Sequence, residues 1–297
     1  MTNERYPEVP EGFHEGEPRR GIGSQRLAVL GDPVGHSRSP QLQLAAYRAL
    51  GRRWEYSRWR IPGGELADAL GARGQGWRGF SVTAPLKAEA LAFASEVSPD
   101  ARRSGAVNTL VFDSLEPGTP ARGENTDIPG IVRAFGERGL ERIEGVAQVL
   151  GAGETAASVA IAAQRLGATR VEIFARRPER AEALAERLGG GVAGRSLADW
   201  RPGDDAALVG DTVPGGYAPA SDPGPVPAGA ALLSAAYHPW PTPLAELWQG
   251  AEAPVVTGLD MLLHQAVLQV RLFGGSAIDE PLPNETDVAE AMRAALS

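Results

Sequence analysis

Lys87 is the one lysine in a sequence whose 29 lysines and arginines are otherwise all arginine. The two cations differ in a way that matters for chemistry. An ammonium is compact and can surrender a proton near neutral pH, whereas a guanidinium effectively never does. A chain this rich in arginine places its one side chain able to transfer a proton in this way at the end of Phe80-Ser81-Val82-Thr83-Ala84-Pro85-Leu86-Lys87. A surface position left to drift is the plain alternative, and composition alone does not separate the two. Position says more. Thr83/Lys87 is one of four polar clusters, with Ser37/Ser39, Asn108/Thr109 and Asn125/Asp127, each at a loop after a predicted strand. That is where a parallel sheet presents its ligands. Hydroxyls, amides, an ammonium and a carboxylate together suit a small polyhydroxylated acid. In a carbonyl reduction Lys87 would donate the proton to the carbonyl oxygen, while Asp127 would accept substrate hydroxyls and hold Lys87 in position and charge state. Each residue alone reads as readily as a cap or a turn; all four clusters together do not.

The source of electrons is legible further along. Gly151-Ala152-Gly153-Glu154-Thr155-Ala156 joins a predicted strand at 146–150 to a helix reaching about residue 166. This is the place of a dinucleotide fingerprint: the first glycine permits the tight turn, the second lets backbone approach a pyrophosphate, and the small third residue lets helix pack on strand. Helix-terminal N–H groups then hold the anion. After the next strand an NAD site usually carries Asp or Glu for the ribose 2′-hydroxyl. Here the residues are Ala175-Arg176-Arg177-Pro178-Glu179-Arg180. Guanidiniums suit a 2′-phosphate and stack on adenine, and arginine at a helix start opposes the macrodipole, so helix stability does not explain them. The expected cofactor is NADP, on the 151–156 loop and on Ala175, Arg176, Arg177 and Arg180.

These groups need a scaffold. Strands are expected at 26–31, 54–61, 79–83 and 105–112, with helices at 41–50, 64–70 and 86–94; Ser39 reads as an N-cap before Pro40. The turn at 123–127 precedes a helix at 128–138. Beyond the nucleotide loop come a strand at 170–174, a helix at 178–188, weaker strands at 206–209 and 231–235, and helices at 259–273 and 286–296. Alternating strands and helices imply an α/β chain with mostly parallel sheets covered on both faces. A length of 297 residues accommodates two domains. The absence of cysteine removes disulfides, thiol nucleophiles and thiolate metal sites, and four dispersed histidines offer no zinc spacing, so no metal is expected. A net charge of −8 argues against nucleic acid, and no apolar run long enough for a membrane span is present. Residues 1–25, rich in Pro, Gly and Glu without a signal-peptide core, read as a disordered extension of a cytoplasmic, bacterial-type protein, a monomer or a homodimer.

With these residues in view, the sequence resembles the shikimate dehydrogenase family from Leu27 to the C-terminus. The matching segments are His36-Ser-Arg-Ser-Pro40, Ser81-Val-Thr-Ala-Pro-Leu-Lys87, Gly105-Ala-Val-Asn-Thr109, Asn125-Thr-Asp127, the Gly151 loop, Tyr237-His-Pro-Trp-Pro-Thr-Pro-Leu244 and Gly258-Leu-Asp-Met-Leu-Leu-His-Gln265. The resemblance implies reversible NADPH-dependent reduction of 3-dehydroshikimate to shikimate on the route to chorismate and aromatic amino acids, with Lys87 and Asp127 as the catalytic pair. It also implies that Ser37 and Ser39 bind the substrate carboxylate and that Thr83, Asn108 and Gln265 contact ring hydroxyls. Tyr237 would lie near carboxylate and nicotinamide, and Thr212, Gly258 and Met261 along the cofactor. The implied substrate domain is discontinuous, residues 26–126 and 258–297, with a Rossmann-type domain over 127–257 inserted, a cleft between them, and the last helices returning to the first domain.

Three positions depart from the family pattern. Ser81 stands where the lysine motif usually begins with Asn, and is expected to be a tolerated, backbone-bonding change. Gly210 removes an amide from an Asn-x-Thr segment, here Gly210-Asp211-Thr212. Ser234 replaces an acid three residues before the tyrosine. A quinate/shikimate dehydrogenase of broader substrate or cofactor use is the nearest alternative, from which Ser39 and Arg176 both point away. A non-catalytic NADPH-binding regulator would be marked by loss of the lysine or the aspartate, and both are present.

Overall fold

The computed structural model describes residues 25–220 and 222–296. The expected N-terminal extension lies, up to residue 24, outside the described residues. The chain divides into two compact units: residues up to Thr126 together with those from Ala266 onward, and Asp127–Gln265.

In the first unit β1 (Gln25–Gly31), α1 (Ser39–Ala49), β2 (Trp54–Arg60), α2 (Leu66–Gly71), β3 (Trp77–Val82), α3 (Lys87–Phe93), β4 (Glu96–Val97), α4 (Pro99–Ser104), β5 (Thr109–Phe112) and β6 (Ala121–Glu124) follow in order. They form a sheet of order β2-β1-β3-β5-β6-β4. β1 is an apolar run because it is buried on both faces between parallel neighbours. β5 then reverses, antiparallel to both β3 and β6. The expected strand at 105–112 begins only at Thr109, since the Ala106 and Val107 N–H groups are bonded to the carbonyls of Ala101 and Lys87. β6 has no counterpart among the predicted strands: Ala-Arg-Gly-Glu carries no strand-forming side chain. Its place is set by packing, because a Cβ on Gly123 would lie 2.8 Å from Val107 and 2.9 Å from Ala94. Trp59, Trp77, Phe80 and Phe112 form an aromatic row, the first pair stacked and the last edge-on, with successive ring centroids 5.7, 4.7 and 5.7 Å apart.

The second unit runs α5 (Asp127–Glu137), β7 (Val146–Leu150), α6 (Glu154–Arg165), β8 (Arg170–Ala175), α7 (Pro178–Leu188), β9 (Val192–Ser196), β10 (Ala206–Asp211), β11 (Ala231–Ser234), α8 (Pro243–Gly250) and β12 (Val255–Thr257). Its sheet has the order β9-β8-β7-β10-β11-β12, with every pairing parallel. The strand sequence changes direction between β7 and β10, and that switch point is where such sheets bind ligands. β9, β12 and α8 have no counterpart among the expected elements. β9 is a polar edge strand around a glycine whose Cβ would run into the α7 backbone, whereas α8 carries a legible start, Thr242 Oγ1 accepting from Ala245 N–H (3.3 Å) before Pro243 at the first position.

α9 (Gly258–Phe273) runs from the second unit into the first, followed by α10 (Glu285–Ala294). As the family likeness implies, both end on the first unit. α10 packs on α1, Arg271 is bidentate on Glu285 at 2.6 and 2.5 Å, and Arg38 Nη2 donates to the Leu296 carbonyl at 2.8 Å. Residues 258–265, expected in the first unit, lie in the second because they are tied to α5. Arg138 donates to Asp260 Oδ2 (2.9 Å), His264 Nε2 meets Glu137 Oε2 (3.0 Å), and a Cβ on Gly130 would lie 2.8 Å from the Gln265 nitrogen. Among the described residues no helix is long and apolar enough to cross a membrane.

Asp260 also accepts from the N–H and hydroxyl of Thr257, both at 2.9 Å, and so joins β12 to α9. Burial alone pushes its carboxyl up, but the bonds from Thr257 and Arg138 outweigh burial and hold it below the ordinary carboxylate range. A lowered folded-state pKa gives stabilisation that is complete above an unfolded value of about 3.9 and is lost as pH falls through the folded-state value. Asp260→Asn should therefore destabilise the second unit by about 2 kcal/mol at pH 7. Thermal denaturation across pH should show wild type and variant converging below about pH 4; a gap that persists at lower pH would refute the charged role.

Candidate active site

In the first unit one edge of the sheet gathers the polar groups. β1 and β3 end there, β5 starts there because it is reversed, and β6, reversed again, ends there. The loops at that edge carry Ser37 and Ser39 after β1, Thr83 and Lys87 after β3, Asn108 before β5 and Thr126 after β6. The strand reversal is what lets Asn108, which precedes its strand, share an edge with residues that follow theirs.

Local bonds hold each group. Ser37 Oγ, not Ser39, does the capping, accepting from the Ser39 N–H at 3.3 Å; Ser39 is the first residue of α1, behind Arg38 at the cap position. Arg58 braces that loop with two bonds to the Ser37 carbonyl, 2.7 and 3.2 Å. Thr83 N–H donates to the Leu30 carbonyl (2.8 Å), and its methyl would lie 2.5 Å from any Cβ on Gly31, so a glycine is required beside it. Lys87 opens α3 and is 8% exposed. A cation at a helix N-terminus opposes the macrodipole, so helix stability does not account for it there, and burial removes the solvated-face reading.

The amide of Asn108 is fixed on both ends: Oδ1 accepts from the Thr126 N–H (2.8 Å) and the Thr109 hydroxyl (2.8 Å), and Nδ2 donates to Thr126 Oγ1 (2.9 Å). Asn125 has a different task from its cluster partner. Its Nδ2 donates to Ser104 Oγ and the Ala106 carbonyl at 2.9 and 3.2 Å, bracing the chain ahead of β5. Asp127 follows Thr126 directly as the first residue of α5 and is 5% exposed. Ser81 does not bond backbone as expected: its Oγ accepts from Tyr56 OH and donates to Gln269 Oε1, both at 2.7 Å.

Of the residues expected around the substrate, Ser37, Ser39, Thr83, Lys87 and Asn108 thus belong to the first unit. Asp127, Tyr237 and Gln265 belong to the second. Gln265 is buried on α9, its Nε2 donating to the Leu262 carbonyl at 2.9 Å.

The second unit places the expected nucleotide loop at its switch point. Gly151 has φ +108°, its N–H donates to the Phe174 carbonyl (2.8 Å), and a Cβ there would collide with Thr212 Oγ1. Thr212 in turn donates to the Leu150 carbonyl from its hydroxyl (2.7 Å) and N–H (2.9 Å), stitching β10 to β7. A Cβ on Gly153 would meet open space, and Gly153 caps α6 without any side-chain bond, so the cap itself puts no side chain over the first-turn N–H groups. Ala156 is fully buried against the sheet. These features fit an anion at the head of α6.

Arg176, Arg177 and Arg180 are exposed at the end of β8 and the start of α7, with no acid in the place that selects NAD. Met261 packs into the unit's core, and Gly258 presses on the Ala235 carbonyl, leaving no room for a side chain. Gly210, where the family's pattern has an amide, sits against α6 with Val159 Cγ1 2.6 Å from a built Cβ; the valine occupies the side-chain space. Ser234 pairs with Thr242 through their hydroxyls at 3.0 Å.

Motif reading passes over Tyr56, Thr126, Asp211 and Gln269. Fully buried Asp211 accepts from the N–H groups of Val213 (3.1 Å) and Tyr217 (2.8 Å) and orders the loop after β10; burial pushes its carboxyl up against those two bonds. Gln269 had a visible signal, a polar side chain one turn beyond Gln265 in the same helix.

Residues 29–110 match the family model described as the shikimate dehydrogenase substrate binding domain. A shikimate dehydrogenase (NADP(+)) of Rubrobacter xylanophilus is 38% identical over 294 residues, covering 94% of this chain and 98% of the relative. One of Thermus thermophilus is 36% identical, covering 91% and 98%. The crystal structure of shikimate 5-dehydrogenase from Thermus thermophilus, in complex with NADP(H) and shikimate, superposes with a TM-score of 0.77 at 34% identity, over 91% of this chain and 99% of that one. With relatives of this identity matched over nearly its whole length, the chain belongs to the shikimate dehydrogenase family.

Proposed function

We propose that this protein is a cytoplasmic shikimate dehydrogenase, catalysing the reversible, NADPH-dependent reduction of 3-dehydroshikimate to shikimate with small molecules as its partners. The observation that carries the reading is Lys87: the only lysine of the chain, buried at the head of α3, at the sheet edge that also bears Ser37, Ser39, Thr83 and Asn108. Ser37 and Ser39 bind the substrate carboxylate on a loop braced by Arg58. Thr83, Asn108 and, from the second unit, Gln265 take the ring hydroxyls, with Tyr237 beside the carboxylate. Asp127 holds the substrate hydroxyls and keeps Lys87 oriented. NADPH, when bound on the 151–156 loop with its 2′-phosphate on Arg176, Arg177 and Arg180, supplies the hydride to the carbonyl carbon. Lys87 passes one N–H proton to the carbonyl oxygen, whose π electrons become its lone pair, and is re-protonated from solvent; in the oxidative direction it takes that proton back.

Initial rates with shikimate and quinate, each against NADP and NAD, test the assignment. Shikimate with NADP should be the best pair by at least tenfold; a preference for quinate or NAD, or no turnover at all, would overturn it.

Lys87→Ala should lower kcat by about 10² or more while leaving the KM for NADP nearly unchanged, and Lys87→Arg should not restore turnover. An arginine variant with near wild-type kcat would exclude proton transfer by Lys87.

Arg176→Ala should raise the KM for NADP by about tenfold or more and that for shikimate little. Equal changes in the two would contradict the 2′-phosphate contact.

A further inference from the structure

One buried amide joins the ends of β3 and β5. Gln269, 1% exposed on the part of α9 that belongs to the first unit, has every hydrogen-bonding position of its side chain filled. Its Oε1 accepts from Ser81 Oγ at 2.7 Å and Gln43 Nε2 at 3.2 Å. Its Nε2 donates to the Asn108 carbonyl at 3.2 Å and Thr109 Oγ1 at 3.0 Å. Tyr47 OH supports Gln43 (2.9 Å) and Tyr56 OH supports Ser81 (2.7 Å). The donors run in one direction, from Tyr56 through Ser81 to Gln269 and on to Asn108.

Stability alone does not call for such a network. A leucine at 269 would fill similar space, whereas a buried amide is costly unless every partner is in place. What the amide adds is geometry. The Asn108 carbonyl that receives Gln269 also receives the Val82 N–H at 2.7 Å, so one oxygen sets the spacing between the strand leading to Thr83 and the residue Asn108 itself. The other end of the chain, Tyr56, is buried beside the hydroxyls of Ser81 and Ser39.

We propose that Gln269 is a positioning residue for the substrate, fixing from α9 the spacing between the β3 end that leads to Thr83 and the residue Asn108. The proposal rests on the substrate assignment above. It makes Ser81 and Gln269 a coupled pair: their side chains already meet at 2.7 Å, so the longer side chain of an asparagine at position 81 with Gln269 in place overcrowds the site.

Initial-rate kinetics and melting temperatures of Q269A, S81N, the double variant S81N/Q269A and S81A test this. Q269A and S81N should each raise the KM for shikimate at least tenfold, with kcat reduced less and the KM for NADP within twofold of wild type. The double variant should return the shikimate KM to within threefold of wild type. S81A, which deletes one hydroxyl and is the least disruptive of the set, should raise it three- to tenfold, and it decides the matter if the larger changes do not fold. An unchanged shikimate KM in Q269A or S81A, or a double variant no better than the worse single one, would overturn the role. The wild-type rate on shikimate is measured first: inactivity there overturns the function itself, whereas the ratios among variants of an active enzyme bear on Gln269 alone.

Discussion

The reversal of β5 is the constraint on which the polar edge of the first unit depends. In a sheet parallel throughout, every loop after a strand comes to one edge and every residue before a strand goes to the other. Asn108 precedes β5, so only an antiparallel β5 sets it beside Thr83 and Lys87, and a second reversal is needed to deliver Thr126, with Asp127 next in the chain, to the same edge. The reversal is held by the Val82 to Asn108 backbone bond and by the side-chain bonds of Asn108 to Thr126. Asn125 adds to this by anchoring the segment ahead of the strand.

The second unit solves a different problem. Its parallel sheet needs a crevice where the strand order turns, and the crevice must be both tight and open. Thr212 closes β10 onto β7 and excludes a side chain at Gly151, while Gly153 leaves the approach to α6 clear. Gly210 belongs to the same compromise. Val159 of α6 lies where a side chain at 210 would go, so the helix packs directly on the strand there.

Much of this architecture was readable in advance where local rules act. β1, β7 and β8 are apolar runs, and α1, α6 and α9 have helical length and bounded ends. Local rules lose their hold where preference is weak and packing decides. β6 and β9 are short, polar or glycine-bearing segments that pair only because a neighbouring strand offers an edge. Ala106 and Val107 look like strand but are bonded to α4 and Lys87. Ser39 looks like a cap, yet Ser37 fills that role because the loop brings its hydroxyl back over the first helical N–H. Residues 258–265 read as part of the first domain but are held to α5 by Arg138 and Glu137.

The sequence by itself determined the inventory and its likeness: a lone lysine in an arginine-rich chain, the glycine loop after a strand, paired arginines where an acid selects NAD, and seven family segments in order. Each depends on residue type and near neighbours along the chain, which is what a sequence records. The tertiary structure alone decided which groups share an edge and which residues hold them there. Gln269 meets Ser81 across 188 positions and Thr109 across 160, and no local pattern encodes such pairings. A buried amide finds partners only after two strands and a helix have closed around it, because only then is water gone and every donor and acceptor obliged to be matched. Lys87 was conspicuous as a residue; its burial at a common edge with Ser37, Ser39, Thr83 and Asn108 came from the fold.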